Sequence, residues 1–232
     1  MSNKFRLLVA GALIVCGLVD VAAPKSVMAA DLVSGTSGAV SVAVGDSSTC
    51  ALLVSGVVRC WGGNDFSQLG SGWPQDQLVP VTVPIIPKAV AIGVGGMFSC
   101  AATESDGVWC WGLYNWRQPW KVSGLPEKVS QLSVGSAQAC AVDSAGAAYC
   151  WGWNQYGELG NGSEGFHYTN AQPVVGLSSG VASISAGYEH TCALLTDGSA
   201  KCWGDDSYSE LGDGNPNAGL GLCQYCDTSH VD

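Results

Sequence analysis

The sequence predicts an all-β protein assembled from four β-propeller-type blades, and three observations support this class. A unit with two cysteines ten residues apart, the second followed by Trp-Gly, occurs four times along the chain. Short apolar segments alternate with glycine-rich turns inside each unit, as expected of short antiparallel strands. The first cysteines of successive units are 50, 40 and 52 residues apart, a period typical of blade-like β repeats.

Each unit is predicted to contain a hairpin clamped by its own disulfide. If Cys192 lies opposite Cys202, the connection is a three-residue loop ending at Gly198, which adopts a left-handed backbone without steric cost. Opposed residues on antiparallel strands have Cβ atoms about 4.5–5.5 Å apart, so a disulfide there needs little distortion. The predicted pairs are Cys50–Cys60, Cys100–Cys110, Cys140–Cys150 and Cys192–Cys202.

The second unit departs from this hairpin pattern. Its turn glycine, Gly107, comes one residue later than the equivalent glycines of the other three units. The sequence therefore predicts either a longer turn or a diagonal placement of Cys100 and Cys110.

Both faces of each hairpin are apolar. Since side chains alternate along a strand, Cys192 and Leu194 share one face while Ala193 and Trp203 share the other. A sheet that is apolar on both faces needs cover on both, as when similar sheets pack face to face around an axis.

A first strand is predicted before each hairpin and a fourth strand after it. The first follows the pattern apolar, any, apolar, Gly, at residues 42–45, 92–95, 132–135 and 184–187. The fourth is predicted to begin at Pro80, Pro119 and Pro173 in the first three units, where a missing N–H is tolerated. One aromatic residue per unit, either packing between blades or lining a binding face, stands six residues after the second cysteine: Phe66, Trp116, Tyr156 and Tyr208.

Residues 1–30 are predicted to be a secretory signal peptide. Two basic residues precede an apolar stretch over residues 7–19, and a small-residue cleavage site ends at Ala29 or Ala30. Without Cys16 of this leader the chain has ten cysteines, an even number that suits an oxidising compartment. The apolar stretch is short for a membrane span. A secreted or periplasmic protein with no stable membrane span is expected, the alternative being an uncleaved anchor.

The chain is strongly acidic. Its formal net charge is −10, and loss of the leader, with three basic residues and one acidic residue, makes it −12. Such a charge repels phosphate backbones, which argues against nucleic-acid binding. A well-solvated surface is the simplest explanation.

The most complete unit resembles a known family. The run Gly-Tyr-Glu-His-Thr-Cys-Ala-Leu-Leu-Thr-Asp-Gly at residues 187–198, with Cys202-Trp-Gly204 and Glu210-Leu-Gly212, resembles the repeats of the regulator of chromosome condensation (RCC1-like) superfamily. The likeness covers roughly residues 39–214, and the cysteine-paired form with a leader resembles secreted bacterial members. The resemblance implies a β-propeller, usually of about seven four-stranded blades.

The resemblance divides the chain into a signal peptide (1–30), a linker (31–38), four repeats and a C-terminal tail (215–232). The repeats are predicted at residues 39–88, 89–128, 129–180 and 181–214. Four repeats are fewer than the family usually has, so a partial propeller, a small ring or an open arc is expected. An open arc would leave a blade face and strand edges uncovered, which favours self-association.

The sequence contains no recognisable catalytic set, so the chain is predicted not to be an enzyme and to need no cofactor. The histidines His167, His190 and His230 form no Ser-His-Asp set and no His-x-x-x-His metal spacing. His190 matches the His-Thr position of the resembled family and is expected to be structural. Asp205 and Asp206 are interpreted as polar turn residues rather than calcium ligands.

The tail carries a C-x-x-C motif formed by Cys223 and Cys226. This motif is compatible with a redox pair, half of a zinc site or a small disulfide. A disulfide is favoured by the exported context, and no metal site is predicted.

A candidate binding surface is predicted in the atypical second unit. Tyr114, Trp116, Arg117 and Trp120 lie outside the repeat consensus, and aromatic residues with arginine are enriched at interaction hot spots.

The leading functional hypothesis is an exported, non-enzymatic propeller that binds an unknown protein or a cell-surface polymer through loops at one rim. The resemblance also implies a secreted enzyme inhibitor of the propeller type as an alternative. Guanine-nucleotide exchange on a small GTPase is a second alternative, against which the leader argues. A cell-envelope enzyme is the remaining class.

Overall fold

The structure is a computed structural model. It describes residues 32–113, 116–165 and 167–214 and the backbone of Cys226–Asp227, and for Trp116 it describes the backbone alone. The regular secondary structure of these residues consists of β-strands. None of these residues belongs to a helix long and apolar enough to cross a membrane. The strands all belong to Val33–Asp232, one of two units into which the chain divides.

The described strands form four antiparallel four-stranded sheets, which we call blades 1 to 4, with the strands of each blade in chain order. Blade 1 contains β1 (Ala39–Val44), β2 (Ser48–Leu53), β3 (Val58–Gly62) and β4 (Gln77–Thr82). Blade 2 contains β5 (Ala89–Val94), β6 (Phe98–Thr103), β7 (Val108–Gly112) and β8 (Trp116–Lys121). Blade 3 contains β9 (Val129–Val134), β10 (Gln138–Asp143), β11 (Ala148–Gly152) and β12 (Tyr168–Pro173). Blade 4 contains β13 (Val181–Ala186), β14 (His190–Leu195), β15 (Ala200–Gly204) and β16 (Cys226–Asp227).

The four predicted hairpin disulfides are present. In each blade the two cysteines are direct cross-strand partners on the second and third strands, with Cα atoms 4.0–4.1 Å apart. The chain-entropy model assigns each such short loop about 2–3 kcal/mol of stabilisation. The fifth predicted pair involves Cys223 and lies outside the described residues.

The turn of blade 2 has the same length as the other three, so the expectation of a longer turn or diagonal cysteines was wrong. Ala102 pairs with Val108, the register found at the equivalent positions of the other hairpins. The hydroxyl of Thr103 accepts a hydrogen bond from the Asp106 amide and donates one to the Gly107 carbonyl. These bonds hold the turn together and let Gly107, at φ 72°, take the left-handed position one residue later.

The fourth strands begin before their prolines, not at them as predicted. Pro80 and Pro119 lie inside β4 and β8, and Pro173 is the last residue of β12. These strands form the outer edge of each blade, where one side of the backbone pairs with nothing in the sheet, so a proline is tolerated along the strand.

The outer strand of blade 4 comes from the segment that the sequence predicts as a tail. Asp227 pairs with Lys201 and Cys226 pairs with Cys202, which places β16 beside β15. Cys226 and Asp227 thus occupy the edge that a proline-containing strand occupies in the other blades.

Three apolar clusters lie between successive blades, as expected for sheets that are apolar on both faces. We call the face of a blade that meets the preceding blade its leading face, and the opposite one its trailing face. The cysteine pair is on the trailing face and the Trp of Trp-Gly is on the leading face, so Cys140 and Cys150 of blade 3 pack with Trp203 of blade 4. Clusters of the same kind join blades 1 and 2 and blades 2 and 3.

The ring is open. Strands of blade 1 pack on blade 2, those of blade 2 on blade 3 and those of blade 3 on blade 4. Among the described strands there is no comparable packing of blade 4 on blade 1. Blade 1 therefore keeps a leading face, and blade 4 a trailing face, that no blade of this chain covers.

Candidate functional site

One glycine from each blade lies near the axis, where the first strand turns into the hairpin: Gly45, Gly95, Gly135 and Gly187. A Cβ on Gly95 would lie 1.8 Å from the carbonyl oxygen of Gly135, and a Cβ on Gly135 would lie 2.2 Å from that of Gly187. Only glycine permits the blades to approach this closely, since real Cβ contacts are longer. The glycines line an open cavity of about 320 Å³ together with Asp46 and Tyr188.

A backbone carbonyl clamps neighbouring blades together. The carbonyl of Gln68 in blade 1 accepts hydrogen bonds from the Ser99 hydroxyl (2.9 Å) and the Trp111 indole (2.8 Å) of blade 2. The carbonyl of Glu158 in blade 3 accepts the same two bonds, from Thr191 (3.1 Å) and Trp203 (2.8 Å) of blade 4. In the sequence Glx-Leu-Gly, the first residue therefore supplies an acceptor and the next blade supplies two donors.

The contact between blades 2 and 3 lacks this clamp. Blade 2 has no Glx-Leu-Gly sequence, and blade 3 carries Ala139 where blades 2 and 4 carry Ser99 and Thr191. The Trp151 indole nitrogen is buried without a hydrogen-bond partner in the described part of the chain. This contact thus has neither the Glx carbonyl nor the hydroxyl that would donate to it. The Trp151 indole, the second donor of the clamp, remains without a partner among the described residues.

At one end of the blades, the loops between the first and second strands meet the loops that follow the third strands. We call this end the loop end. Hydrogen bonds join the two kinds of loop in blades 1 and 3: Gly63 N donates to Ser47 O (2.8 Å) and Trp153 N donates to Ala137 O (2.9 Å). A binding surface at this end is therefore supported by backbone that is fixed to the sheets.

An Asn or Asp after the Trp-Gly sequence orders the loop that follows. The side-chain oxygen of Asn64 accepts from Leu69 N (3.0 Å), that of Asn154 from Leu159 N (3.0 Å) and that of Asp206 from Leu211 N (2.9 Å). The amide of Asn154 also donates to Ser163 O at 2.8 Å. Asp206 was predicted as a polar turn residue, but Asn64 and Asn154 were not predicted, although the distance of five residues before the leucine repeats in three units.

Exposed aromatic side chains stand among carboxylates at the loop end. Tyr208 is 89% exposed, Trp73 69%, Tyr188 62% and Tyr156 36%. Exposed acidic side chains lie on loops at the same end: Asp46, Asp65, Asp76 and Glu164. Of the two expectations for the repeated aromatic, packing between blades does not hold for Tyr208 and Tyr156, whose rings are exposed. Their backbone amides bond the carboxylates of Glu210 and Glu158, on tight turns that leave the rings in solvent.

The opposite end of the blades carries exposed lysines together with the exposed acids Glu104, Glu127 and Asp197. Lys88, Lys121 and Lys128 lie on the connections between blades or beside them. Lys88 pairs with Glu104 at 3.1 Å, and Lys121 pairs with Asp106. The lysines of this end balance part of its acidic charge, so the loop end is the more acidic of the two ends.

Glu158 is a buried carboxyl at the contact between blades 3 and 4. Its Oε2 accepts from Tyr156 N at 2.9 Å, and its Oε1 has no partner among the described residues. Burial raises the pKa of Glu158 to about 7, with smaller contributions from the nearby carboxylates of Glu189 and Asp205. The carboxyl thus titrates near neutral pH.

The equivalent residue in blade 1 is uncharged and has two partners. Gln68 Oε1 accepts from Phe66 N at 2.9 Å, and Gln68 Nε2 donates to the Ser47 hydroxyl at 3.2 Å. In blade 3, Ala137 stands where Ser47 stands in blade 1, so that hydroxyl is absent.

The predicted binding surface on blade 2 is placed only in part. Arg117 is exposed on β8 at the loop end, and its carbonyl accepts from Gly72 N at 3.1 Å. Trp120 is half-buried and packs against the cluster between blades 2 and 3. Tyr114 and the side chain of Trp116 lie outside the described residues, so this surface stays a prediction.

The histidines are not brought together in the described part of the chain. The half-buried ring of His190 lies against Gly187, where an added Cβ would be 2.6 Å from its Cε1 atom. His167 is exposed, and His230 lies outside the described residues. Among the residues that the structure describes, no three or more His, Cys, Asp or Glu side chains are placed to hold a metal ion.

Stacked four-stranded antiparallel sheets with an inter-blade clamp define a propeller-type repeat protein. Models of the regulator of chromosome condensation (RCC1) repeat match residues 39–68, 129–158 and 181–210 in one form and residues 55–102 and 145–194 in another. The chain belongs to the RCC1 repeat family.

This chain spans about half the length of the relatives that it matches. The ultraviolet-B receptor UVR8 of Arabidopsis thaliana is 31% identical over 191 residues, which are 75% of this chain and 43% of the receptor. Yeast RCC1 (Prp20), solved with Kap60 bound, is 24% identical with a TM-score of 0.70, covering 83% of this chain and 49% of that one. Human WBSCR16 is 21% identical with a TM-score of 0.66, covering 76% and 50%. The two structures establish a shared fold.

Proposed function

We propose that the chain is an exported, non-enzymatic binding module that engages a protein partner through its loop end. The observation that carries the proposal is the set of exposed aromatic rings among carboxylates on loops anchored to rigid blades. Aromatic residues supply large contact areas with few rotatable bonds, and they are enriched in interface hot spots. The partner surface that this end fits is basic.

Charge distribution supports a basic partner. The chain has a formal net charge of −10, and the exposed acids Asp46, Asp65, Asp76 and Glu164 lie at the loop end. Complementary potentials speed encounter and reject partners of like charge, and they do so less at high salt. A basic protein segment would meet both the rings and the carboxylates here.

The fold has a precedent as a protein-binding scaffold. The yeast RCC1 protein was solved with Kap60 bound, and a second structure of Prp20p from Saccharomyces cerevisiae was described with its binding to Gsp1p and histones. These partners belong to the yeast protein. They support the class of function proposed for this chain and not a particular partner.

The test is binding of the full chain to arrayed peptides of positive, neutral and negative net charge. We expect retention of basic peptides, weakened by salt and by the double change Tyr188→Ser with Tyr208→Ser. Val79→Ser is the matched control, because Val79 is an exposed apolar residue (58%) on the outer strand β4. Equal retention of all charge classes, or binding that the tyrosine changes leave intact, would refute the loop end as the binding surface.

Export is tested separately. Expressed with its own leader in a host with a secretory pathway, the protein is expected outside the cytoplasm and to begin after Ala29 or Ala30. N-terminal sequencing of the product checks this. A cytoplasmic product with an intact leader and free hairpin cysteines would contradict export without bearing on the binding surface.

A further inference from the structure

The two uncovered blade faces complement each other, and we propose that they bind in a head-to-tail contact between two copies of this chain. The leading face of blade 1 from one copy covers the trailing face of blade 4 of the other. This contact uses the blade faces and the Glx-Leu-Gly backbone rather than the exposed rings of the loop end, and it does not rest on the function proposed for them.

The leading face of blade 1 exposes apolar residues whose equivalents in the other blades are buried or half-buried. Val42 is 58% exposed and Val44 is 72% exposed. The residue equivalent to Val42 in blade 4 is Ile184, and that equivalent to Val44 in blade 2 is Val94; each is only 7% exposed. The difference arises because blades 2 and 4 have a preceding blade and blade 1 has none in this chain.

The same face carries both donors of the inter-blade clamp. Thr49 and Trp61 are cross-strand partners on β2 and β3, as Ser99 and Trp111 are on β6 and β7. Ser99 and Trp111 are both fully buried against blade 1, whereas Thr49 and Trp61 are only half-buried. Blade 1 thus retains the hydroxyl and the indole that would bind a preceding Glx-Leu-Gly carbonyl.

The trailing face of blade 4 carries the acceptor side of the clamp. Glu210-Leu211-Gly212 follows β15 as Glu158-Leu159-Gly160 follows β11. A Cβ on Gly160 would lie 2.9 Å from the Trp203 ring, but one on Gly212 would meet no atom within 4 Å. The tryptophan of blade 4 thus covers Gly160 of blade 3, whereas the equivalent space beside Gly212 of blade 4 is open.

Apolar cover is also missing from that trailing face. Leu194 is 46% exposed, whereas the equivalent Val142 of blade 3 is 1% exposed. Cys192 and Cys202 are half-buried, whereas the six cysteines of the other hairpins are fully buried.

A second copy supplies each missing group in the register already used inside the chain. Ile184 packs in the same cluster as Val142 at the contact between blades 3 and 4, so Val42 of one copy would pack on Leu194 of the other. Trp61 would lie over Gly212 and, with Thr49, donate to the Glu210 carbonyl. Contacts between unlike faces close into a ring or extend into a chain of copies, depending on the rotation at each contact.

The experiment measures the mass of the full chain in solution over a wide range of protein concentration. We expect association to at least twice the mass of one chain. Val42→Lys and Leu194→Glu, each alone, are expected to weaken association about tenfold or more, since each puts a charge in an apolar contact. The two variants mixed should associate better than either alone, because the unchanged leading face of the Leu194→Glu copy can bind the unchanged trailing face of the Val42→Lys copy. In the other possible contact the two new charges face each other.

A control variant separates this contact from general loss of exposed apolar surface. Ile85→Lys changes a residue that is 63% exposed on the connection between β4 and β5, outside the strands that form the two faces, so this variant should associate like the parent protein. The thermal midpoints of all three variants should match that of the parent at low concentration. A parent chain that stays a single copy at every concentration, or variants whose mixture gains nothing, would overturn the proposal, as would cover by other blades of a longer polypeptide.

Discussion

The indole nitrogen of Trp203 donates a 2.8 Å hydrogen bond to the backbone carbonyl of Glu158, 45 residues earlier in the chain. This bond joins the Trp-Gly sequence of one repeat to the Glx-Leu-Gly sequence of the one before it. The two most recognisable pieces of the repeat therefore act on neighbouring blades, and their stabilising effect depends on the repeat that precedes.

Trp203→Phe and Trp151→Phe should differ in stability although both remove an indole from a buried site. Both lose ring volume, but only Trp203 loses a hydrogen bond, because the Trp151 nitrogen has no partner among the described residues. We expect Trp203→Phe to cost about 1 kcal/mol more free energy of unfolding than Trp151→Phe. Denaturant unfolding of the two variants measures the difference, and equal losses would show that the clamp contributes nothing.

Glu158→Gln should change how stability depends on pH. The pKa of Glu158 is raised from 4.5 to about 7 in the folded protein, so the folded state holds a proton that the unfolded chain releases between these values. The stability present below about pH 4.5 is therefore lost as the pH rises through about 7. Above that pH the glutamine variant is expected to be more stable than the parent by up to about 3 kcal/mol.

Unfolding at acid and at mildly alkaline pH tests this expectation, with Glu164→Gln as a control at an exposed loop position. The control should follow the pH profile of the parent protein. A Glu158→Gln variant with the same profile as the parent would mean that the carboxyl is charged in the folded state without cost.

Gly95→Ala should be among the most damaging single-methyl changes in the chain. The added Cβ would lie 1.8 Å from the Gly135 carbonyl oxygen, a backbone atom that cannot move without shifting blade 3. We expect a loss of about 3 kcal/mol or more, the upper range for overpacking. Gly63→Ala is the matched control, because its Cβ would meet the Ser47 side chain at 3.0 Å and needs only a small adjustment. Similar thermal midpoints for the two variants would contradict close contact at the axis.

The Cys192–Cys202 disulfide should be reduced before the other three in the folded protein. Its cysteines are half-buried, while those of Cys50–Cys60, Cys100–Cys110 and Cys140–Cys150 are fully buried, and thiol exchange requires access to sulfur. Limited reduction at low protein concentration, followed by alkylation and peptide mass analysis, should label Cys192 and Cys202 first. Simultaneous labelling of all four pairs would indicate global unfolding instead. Head-to-tail association should slow the labelling at high concentration.

Much of the fold is predictable because its signals are local. The ten-residue cysteine spacing and a glycine near the turn determine the hairpin register, and alternation along a strand determines which side chains share a face. The register held even in blade 2, where Thr103 supplies bonds that compensate for the late Gly107. The start of the fourth strands was missed because Pro80 and Pro119 are tolerated along an edge.

The candidate site is less predictable because its properties come from neighbouring blades. Tyr208, Tyr156, Phe66 and Trp116 occupy equivalent positions in the four repeats. The position alone does not predict whether the aromatic ring is buried or exposed. Arg117 lies exposed at the loop end, whereas Trp120 of the same strand packs into the apolar cluster between blades 2 and 3. The local sequence does not predict this difference in burial.

By itself, the sequence determined four sheets, their disulfides and the two apolar faces, since each follows from residues within about ten positions of one another. Only the tertiary structure decided which tryptophans find a carbonyl, that Glu158 is buried without a second partner, and that Val42 and Leu194 are left exposed. Those outcomes depend on which blades are neighbours in space. Contacts between blades join residues about 40 to 50 positions apart, so the local sequence pattern does not predict them.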